Sequence, residues 1–167
     1  MGFDLHGMNP KSATPEPIWE KEDPWDEASA KSFKLNPQLK KEYDKYIADK
    51  IKWQDSTEGA YFRNNVWWWR PLWEYVCDNC EDILTPKDVE RGYYNDGHVI
   101  CKTKAKSIAR ILRKLIKEGH TDAYTGWHDN KREEMGDKDW NRHYPFNVQN
   151  VREFERFCEK SGGFDIC

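Results

Sequence analysis

Apolar positions recur along the chain with periods that change from one stretch to the next. Between Lys102 and Glu118, Ala105, Ile108, Ala109, Leu112, Leu115 and Ile116 return at three- and four-residue steps. That is one face of a helix, and Gly119 closes it. Asn36 ahead of Pro37 reads as an N-cap with proline at the first helical position. Leu39, Tyr43, Tyr46, Ile47, Lys50 and Ile51 then keep helical spacing through Trp53. Thr85-Pro-Lys-Asp88 starts a short helix that stops at Gly92. A last helix opens near Asn147, buries Val148, Val151, Phe154 and Phe157, and ends at Gly162 and Gly163. Two short stretches alternate instead. Phe3 and Leu5 alternate with Asp4 and His6, and Phe164-Asp-Ile-Cys167 returns as a strand beside residues 2–6.

One stretch fits none of these patterns: Tyr61-Phe-Arg-Asn-Asn-Val-Trp-Trp-Trp-Arg-Pro-Leu-Trp73. Read as a helix, successive side chains turn by about 100°, so Trp67, Trp68 and Trp69 sweep about 200°. A core stripe of about 100° cannot hold all three. Either the helix is buried on most sides or part of it lines a cavity. Pro71 belongs in the first turn of a new helix, Pro71–Cys77, or at a kink. The helical register puts Arg63, Trp67, Arg70 and Glu74 on one face, with Asn64 and Trp68 beside them. The plain reading is a tryptophan-rich core with Arg70 paired to Glu74. The functional one is a pocket built from some of the same residues.

The remaining segments are less regular. Residues 9–36 carry Pro10, Pro15, Pro17 and Pro24 among acids, an extended arm whose Trp19 and Trp25 should dock rather than stay in water. A short helix is expected around Asp26–Ser32, and Asp55–Ala60 reads as a turn. Residues 120–145 are polar and turn-rich although they hold Tyr124, Trp127, Trp140 and Tyr144. They predict an irregular excursion with a short helix at Lys131–Met135. The fold expected is mainly α: a single compact domain, 1–167, of about four to five helices with a small β element joining the N- and C-termini. Residues 1–36 form an extended Pro-rich arm packed on its body.

Composition narrows the classes. The 167 residues include nine Trp, and 34% are charged, with a formal net charge of −3. Mean hydropathy is −1.06. The acidic balance argues against bulk nucleic-acid binding, although Lys102, Lys106, Arg110, Arg113 and Lys117 form a basic stripe, a solvated face or an attractor of polyanions. No apolar run is long enough to cross a bilayer, so no membrane partner is expected. The start has neither a leader pattern nor the Ser or Thr at position 6 of a myristoylation signal, His6 standing there. A cytoplasmic protein is the expectation, and a homo-oligomer is left open. Five cysteines cannot all pair, which favours reduced thiols.

Candidate chemistry is weighed from these residues. Cys77-x-x-Cys80 and His98-x-x-Cys101 have spacings that suit zinc. Against zinc, Cys77 and Cys80 at i and i+3 can simply continue a helix. Cys158 and Cys167 read as buried small apolar residues. A Cys101–His98 nucleophile lacks any hydrolase signature, and neither a Gly-x-Ser-x-Gly elbow nor a phosphate-cradling glycine loop occurs. No catalytic residue is assigned and no cofactor is required. The binding-site reading draws on Asp4, His6, Arg63, Asn64, Trp67, Trp68, Arg70 and the Tyr94-Asn95-Asp96-Gly97-His98 loop. Arg63 and Arg70 would take phosphate, Trp67 or Trp68 would stack a base, and Asn64, Asn95 and Asp96 would read polar edges.

Four blocks, Met1-Gly-Phe-Asp-Leu-His-Gly7, Phe62 to Trp73, Asn95-Asp-Gly97 and Ser161-Gly-Gly-Phe-Asp-Ile-Cys167, resemble a family of small uncharacterised bacteriophage and bacterial proteins. The resemblance implies a phage setting, hence a host-cell cytoplasm, and no activity. The Cys77/Cys80 pair is outside that pattern. With the setting added, the expected function is binding or sequestering a nucleotide-like signal molecule, as a sponge against host defence. The alternatives are a small hydrolase or transferase using Asp96 and His98, or a protein-binding inhibitor of a host factor that exposes tryptophans from residues 120–145.

Overall fold

A computed structural model describes residues 2–21, 36–136 and 138–167. The architecture is mainly α, with a small antiparallel sheet. Among the described residues there are six α-helices rather than four or five, one 3-10 turn and four strands. The chain falls into two compact units, Met1–Lys11 with Glu58–Cys167, and Ser12–Thr57. No helix among the described residues is long and apolar enough to cross a membrane.

The smaller unit is a proline-rich segment folded back on helix α1, Pro37–Ser56. The Asn36 side chain accepts from the Leu39 N–H at 3.1 Å and Pro37 takes the first position, so the start follows the capping signal. Trp19 meets Tyr43 edge-on at 5.1 Å and lies 5.5 Å from Tyr46. Trp53 Nε1 donates to Ser12 Oγ and to the Thr14 carbonyl, both at 3.0 Å. Trp19 therefore docks as its size demands, and the helix runs on to Ser56, past the expected turn at Asp55. Trp25 and the helix anticipated at Asp26–Ser32 lie outside the described residues.

The larger unit is built on strands β1 (Gly2–Gly7), β2 (Tyr61–Asn65), β3 (His98–Cys101) and β4 (Gly163–Ile166), in the order β2-β1-β4-β3, all antiparallel. The β4 segment does return beside residues 2–6: Leu5 stands opposite Ile166, and Ile100 opposite Phe164. Alternation sends Phe3, Leu5, Phe62, Ile100, Phe164 and Ile166 to one buried face. Asp4, His6, Arg63, Val99 and Asp165 take the other.

Two expectations are corrected. Residues 61–65 are a strand, so Arg63 and Asn64 are not on the Trp helix. Asn is a poor helix-interior residue and a good cap, and the Asn65 side chain accepts from the N–H groups of Trp67 and Trp68. Helix α2 starts there and runs from Val66 to Asn79, with Pro71 inside it and not in the first turn of a new helix. The sweep of three rings is resolved as geometry requires: Trp69 is buried, Trp68 half-buried and Trp67 exposed. Secondly, residues 120–145 are less irregular than they read. After helix α3 (Pro86–Arg91) and helix α4 (Lys102–Lys117), Gly119 at φ 74° permits a sharp turn. Helix α5 follows at once, His120–Glu134, then a 3-10 turn Trp140–His143 and helix α6, Val148–Lys160. Only Thr121 and His128 of α5 are buried, so its apolar period is faint in sequence.

The core joins the inner sheet face to α2, α4 and α6 through Trp69, Leu72, Trp73, Ile108, Leu112, Val151 and Phe154. At its centre Trp69 and Trp73 stack at 5.4 Å and 14°. Their indole N–H groups are both satisfied at the end of α3: Trp69 donates to the Gly92 carbonyl at 2.7 Å and Trp73 to that of Val89 at 3.1 Å. A Cβ on Gly92 would lie 2.1 Å from the Trp73 ring. Beside this, α3 is pinned by Asp88. Its carboxylate completes a capping box with Thr85, accepts from His98 Nε2 at 2.9 Å on β3, and pairs with Lys104 on α4. Burial works to raise the Asp88 pKa, but the hydrogen bonds from Lys104, Thr85 and His98 outweigh it and hold the carboxyl well below the usual range.

Two outcomes are expected. Gly92→Ala forces the Trp73 indole out of place and should lower unfolding free energy by about 1–3 kcal/mol, the cost of overpacking, as read by urea denaturation. Asp88→Asn should cost about 1–3 kcal/mol at neutral pH. Between the ordinary carboxylate pKa of about 3.9 and the lower folded value, the unfolded chain binds a proton the native chain does not. The stability that Asp88 contributes is therefore present above that ordinary value and lost as pH falls through the window. The variant's acid limb should be the shallower of the two, and parallel limbs would show that the pin does not hold.

Candidate functional site

A cleft of about 280 Å³ opens between α2 and α5. Helix α2 contributes Arg70, Pro71 and Glu74. Helix α5 contributes Tyr124, Trp127, His128 and Lys131, whose three- and four-residue spacing puts them on one face. Tyr93, following α3, and Tyr144, following the 3-10 turn, complete the aromatic wall. The helix is docked by Tyr75 of α2, whose hydroxyl meets His120 Nδ1 at 2.9 Å and Thr121 Oγ1 at 3.1 Å. The Tyr75 ring is 4.7 Å from Tyr124 and 5.0 Å from Phe146, an aromatic floor beneath the cleft.

The polar groups of the cleft are unevenly satisfied. Arg70 Nη1 donates to the Tyr144 hydroxyl at 3.4 Å, and its guanidinium stands 5.6 Å from that ring centroid. Lys131 Nζ lies 4.9 Å from the centre of the Trp127 ring. Neither cation forms an ion pair among the described residues, and the expected Arg70–Glu74 pair is not made. Arg132, by contrast, is held by Asp129 at 3.2 Å and by the Arg142 carbonyl at 2.8 Å. Burial above all pushes the Tyr93 phenol up to about 12 and raises that of Tyr124, so both are neutral donors at neutral pH. His128 is 9% exposed, and its Nδ1 is buried with no hydrogen-bond partner. Burial, helped by Arg132, depresses its pKa, so the ring is neutral.

The residues singled out from the sequence are spread over the larger unit. Of them, Arg70 alone lines this cleft. Trp67 stands 5.0 Å from Tyr144 at its margin. Asp4, His6 and Arg63 do come together, on the outer face of the sheet: Asp4 accepts from the Tyr61 hydroxyl, Arg63 Nε is 3.5 Å from Asp4, and His6 packs 5.3 Å from the Tyr61 ring. Burial, with the adjoining Asp4, pushes the Tyr61 phenol up to about 12. Asn64 is buried and donates to Asn150 Oδ1 at 2.9 Å, with Trp68 close by in the same shallow recess. Tyr94 is exposed, Asn95 donates to the Gly2 carbonyl at 3.1 Å, and Asp96 pairs with Arg91 at 2.8 Å. His98 is held by Asp88, not by Asp96.

The cysteines are likewise dispersed. Cys77 and Cys80 sit in the core, where burial pushes both thiols up to about 12, and Cys101 is exposed. Cys167 is half-buried rather than buried and donates to Asp165 Oδ2 at 3.2 Å. Among the described residues no group of three His, Cys, Asp or Glu side chains is arranged to hold a metal ion. No protein-family model matches the chain, and no curated protein or solved structure matches it either.

Glu74, Tyr124, Trp127, His128 and Lys131 are not among the site residues expected from the sequence. The signal available was the Tyr124, Trp127, His128, Lys131 spacing, obscured by the polar residues between them. The orphaned His128 nitrogen yields a pH test. Between the ordinary histidine value of about 6.5 and the lower folded value, the unfolded chain binds a proton the native chain refuses. Stability should therefore fall as pH drops through that window. His128→Phe should remove this part of the slope in thermal unfolding between pH 7 and 5. An unchanged slope would mean that the imidazole is not held neutral.

Proposed function

We propose that the chain binds a small nucleotide-like ligand in the α2–α5 cleft and sequesters it without turning it over. A flat base would stack among Tyr124, Trp127 and Tyr144. Its amino or imino edge would donate to Glu74, a carboxylate with no ion pair among the described residues. A phosphate would take charge-assisted hydrogen bonds from Arg70 and Lys131. The observation that carries the reading is that these two cations, with no carboxylate partner among the described residues, face a cleft that also presents Tyr93, Tyr124, Trp127 and Tyr144. Preformed sites of this mixture suit small-molecule binding. The walls are fixed by the core beneath them, which limits the ordering cost of binding. In the phage setting implied by the sequence resemblance, the ligand is a nucleotide signal of host defence.

Native mass spectrometry of gently purified protein tests this. The expected spectrum shows an added mass of a few hundred daltons that is released intact on denaturation. Arg70→Ala and Lys131→Ala should each weaken binding by roughly 10- to 100-fold, the loss of one hydrogen bond to a charged group at about 1.5–3 kcal/mol. Equal ligand occupancy in wild type and both variants would rule out the cleft. Release of a cleaved or altered molecule would rule out sequestration and favour an enzyme.

A further inference from the structure

The cleft has an aromatic extension that a single small ligand leaves unused. Tyr144 belongs to both. From it the line runs to Trp67 at 5.0 Å, on to His143 at 6.5 Å and 87°, and on to Trp140 at 6.2 Å and 63°. The two His143 contacts are edge-on, and Trp67 meets Tyr144 at a tilt of 38°. Trp140 is 72% exposed and Trp67 38%. Single exposed apolar residues need no explanation, but adjoining large rings form a patch that asks for a partner. The patch is also fixed in place. Asp139 Oδ1 accepts from the Asn141 N–H at 2.9 Å, capping the 3-10 turn, and Arg132 Nε ties the Arg142 carbonyl to α5 at 2.8 Å.

We infer that the occupant is a short single-stranded oligonucleotide, with one nucleotide in the cleft and the next bases splayed onto Trp67 and Trp140. The inference rests on the nucleotide reading of the cleft and extends it outward. Size supports it: about 280 Å³ is just below the range of about 300–1,000 Å³ for drug-sized ligands, so the cleft takes one nucleotide unit. Charge supports a short chain over a long one. Arg70 and Lys131 can meet a phosphate or two, while a net charge of −3 repels an extended polyanion. A protein surface would dock better on a continuous apolar face, and here His143 and the cations interrupt it.

Binding of 5′-phosphorylated random-sequence oligomers of one to six residues, RNA and DNA in parallel, tests the inference by tryptophan fluorescence and calorimetry. Affinity should rise roughly 10-fold for each added base that finds a ring, as stacking on an aromatic allows, and level off after the third residue. Preference for one sugar would identify the class of oligomer. Trp140→Ala, at an exposed position, should weaken the trimer by about 10-fold and leave the nucleoside monophosphates unaffected. Trp140→Phe should retain most of the trimer affinity. If the trimer binds no tighter than the monophosphates, the inference is overturned, the single-ligand cleft stands, and Trp67 and Trp140 are left for a protein surface. If no length binds, both readings fall.

Discussion

The larger unit depends on how two neighbouring indoles are accommodated one turn apart on the same helix. Trp69 and Trp73 stack and are buried, yet each carries an N–H that cannot be left without an acceptor. Both acceptors come from the last turn of α3, the carbonyls of Gly92 and Val89. That requirement places α3 against α2, and the absence of a side chain at Gly92 lets it come close enough. Asp88 then ties the same short helix to β3 and α4. A helix of barely two turns has little stability of its own. It holds its position because it completes the hydrogen bonding of the core.

The same helix α2 divides its residues between two tasks. Trp69 and Trp73 look inward and are satisfied by backbone. Arg70 and Glu74, one residue further round, line the cleft opposite α5, and neither forms an ion pair among the described residues. The contrast is chemical. The two core indoles are saturated, whereas His128 at the cleft retains a buried ring nitrogen with no partner among the described residues. A site that leaves polar capacity open between rings is poised for a flat, polar, charged molecule.

Much of this fold could be read along the chain. Helix α4, with its regular Ala105 to Ile116 stripe, the helix start at Thr85, the start at Asn147 and the meeting of the Phe3 and Phe164 strands all follow from local spacing. The strand at Tyr61–Asn65 did not, because its pairing with β1 is a tertiary fact, and its alternation is too short to stand out beside three tryptophans. Helix α5 was obscured because its contacts are Tyr124 and His128 among charged neighbours, a stripe too sparse to give a period. The site inherits that gap. Arg70 was legible because it sits in the Trp stretch, but its partners across the cleft come from the segment whose helix was not recognised. Local density of interesting residues pointed at one wall and said nothing about the opposite one.

Strand β4 lies between β1 and β3 in the sheet, although it follows all the other strands in the chain. Among the described strands, β1 has only β2 to pair with until residues 163–166 arrive, and β3 has no neighbour. The described strands that come earlier in the chain therefore keep one edge open until β4 pairs, a long-range closure of the kind that slows folding and exposes unpaired backbone. The high density of charge along the chain helps keep such a waiting chain apart from its copies. Pairing of β4 joins the β1–β2 pair to β3, and a chain truncated before Gly163 would lack the strand between them.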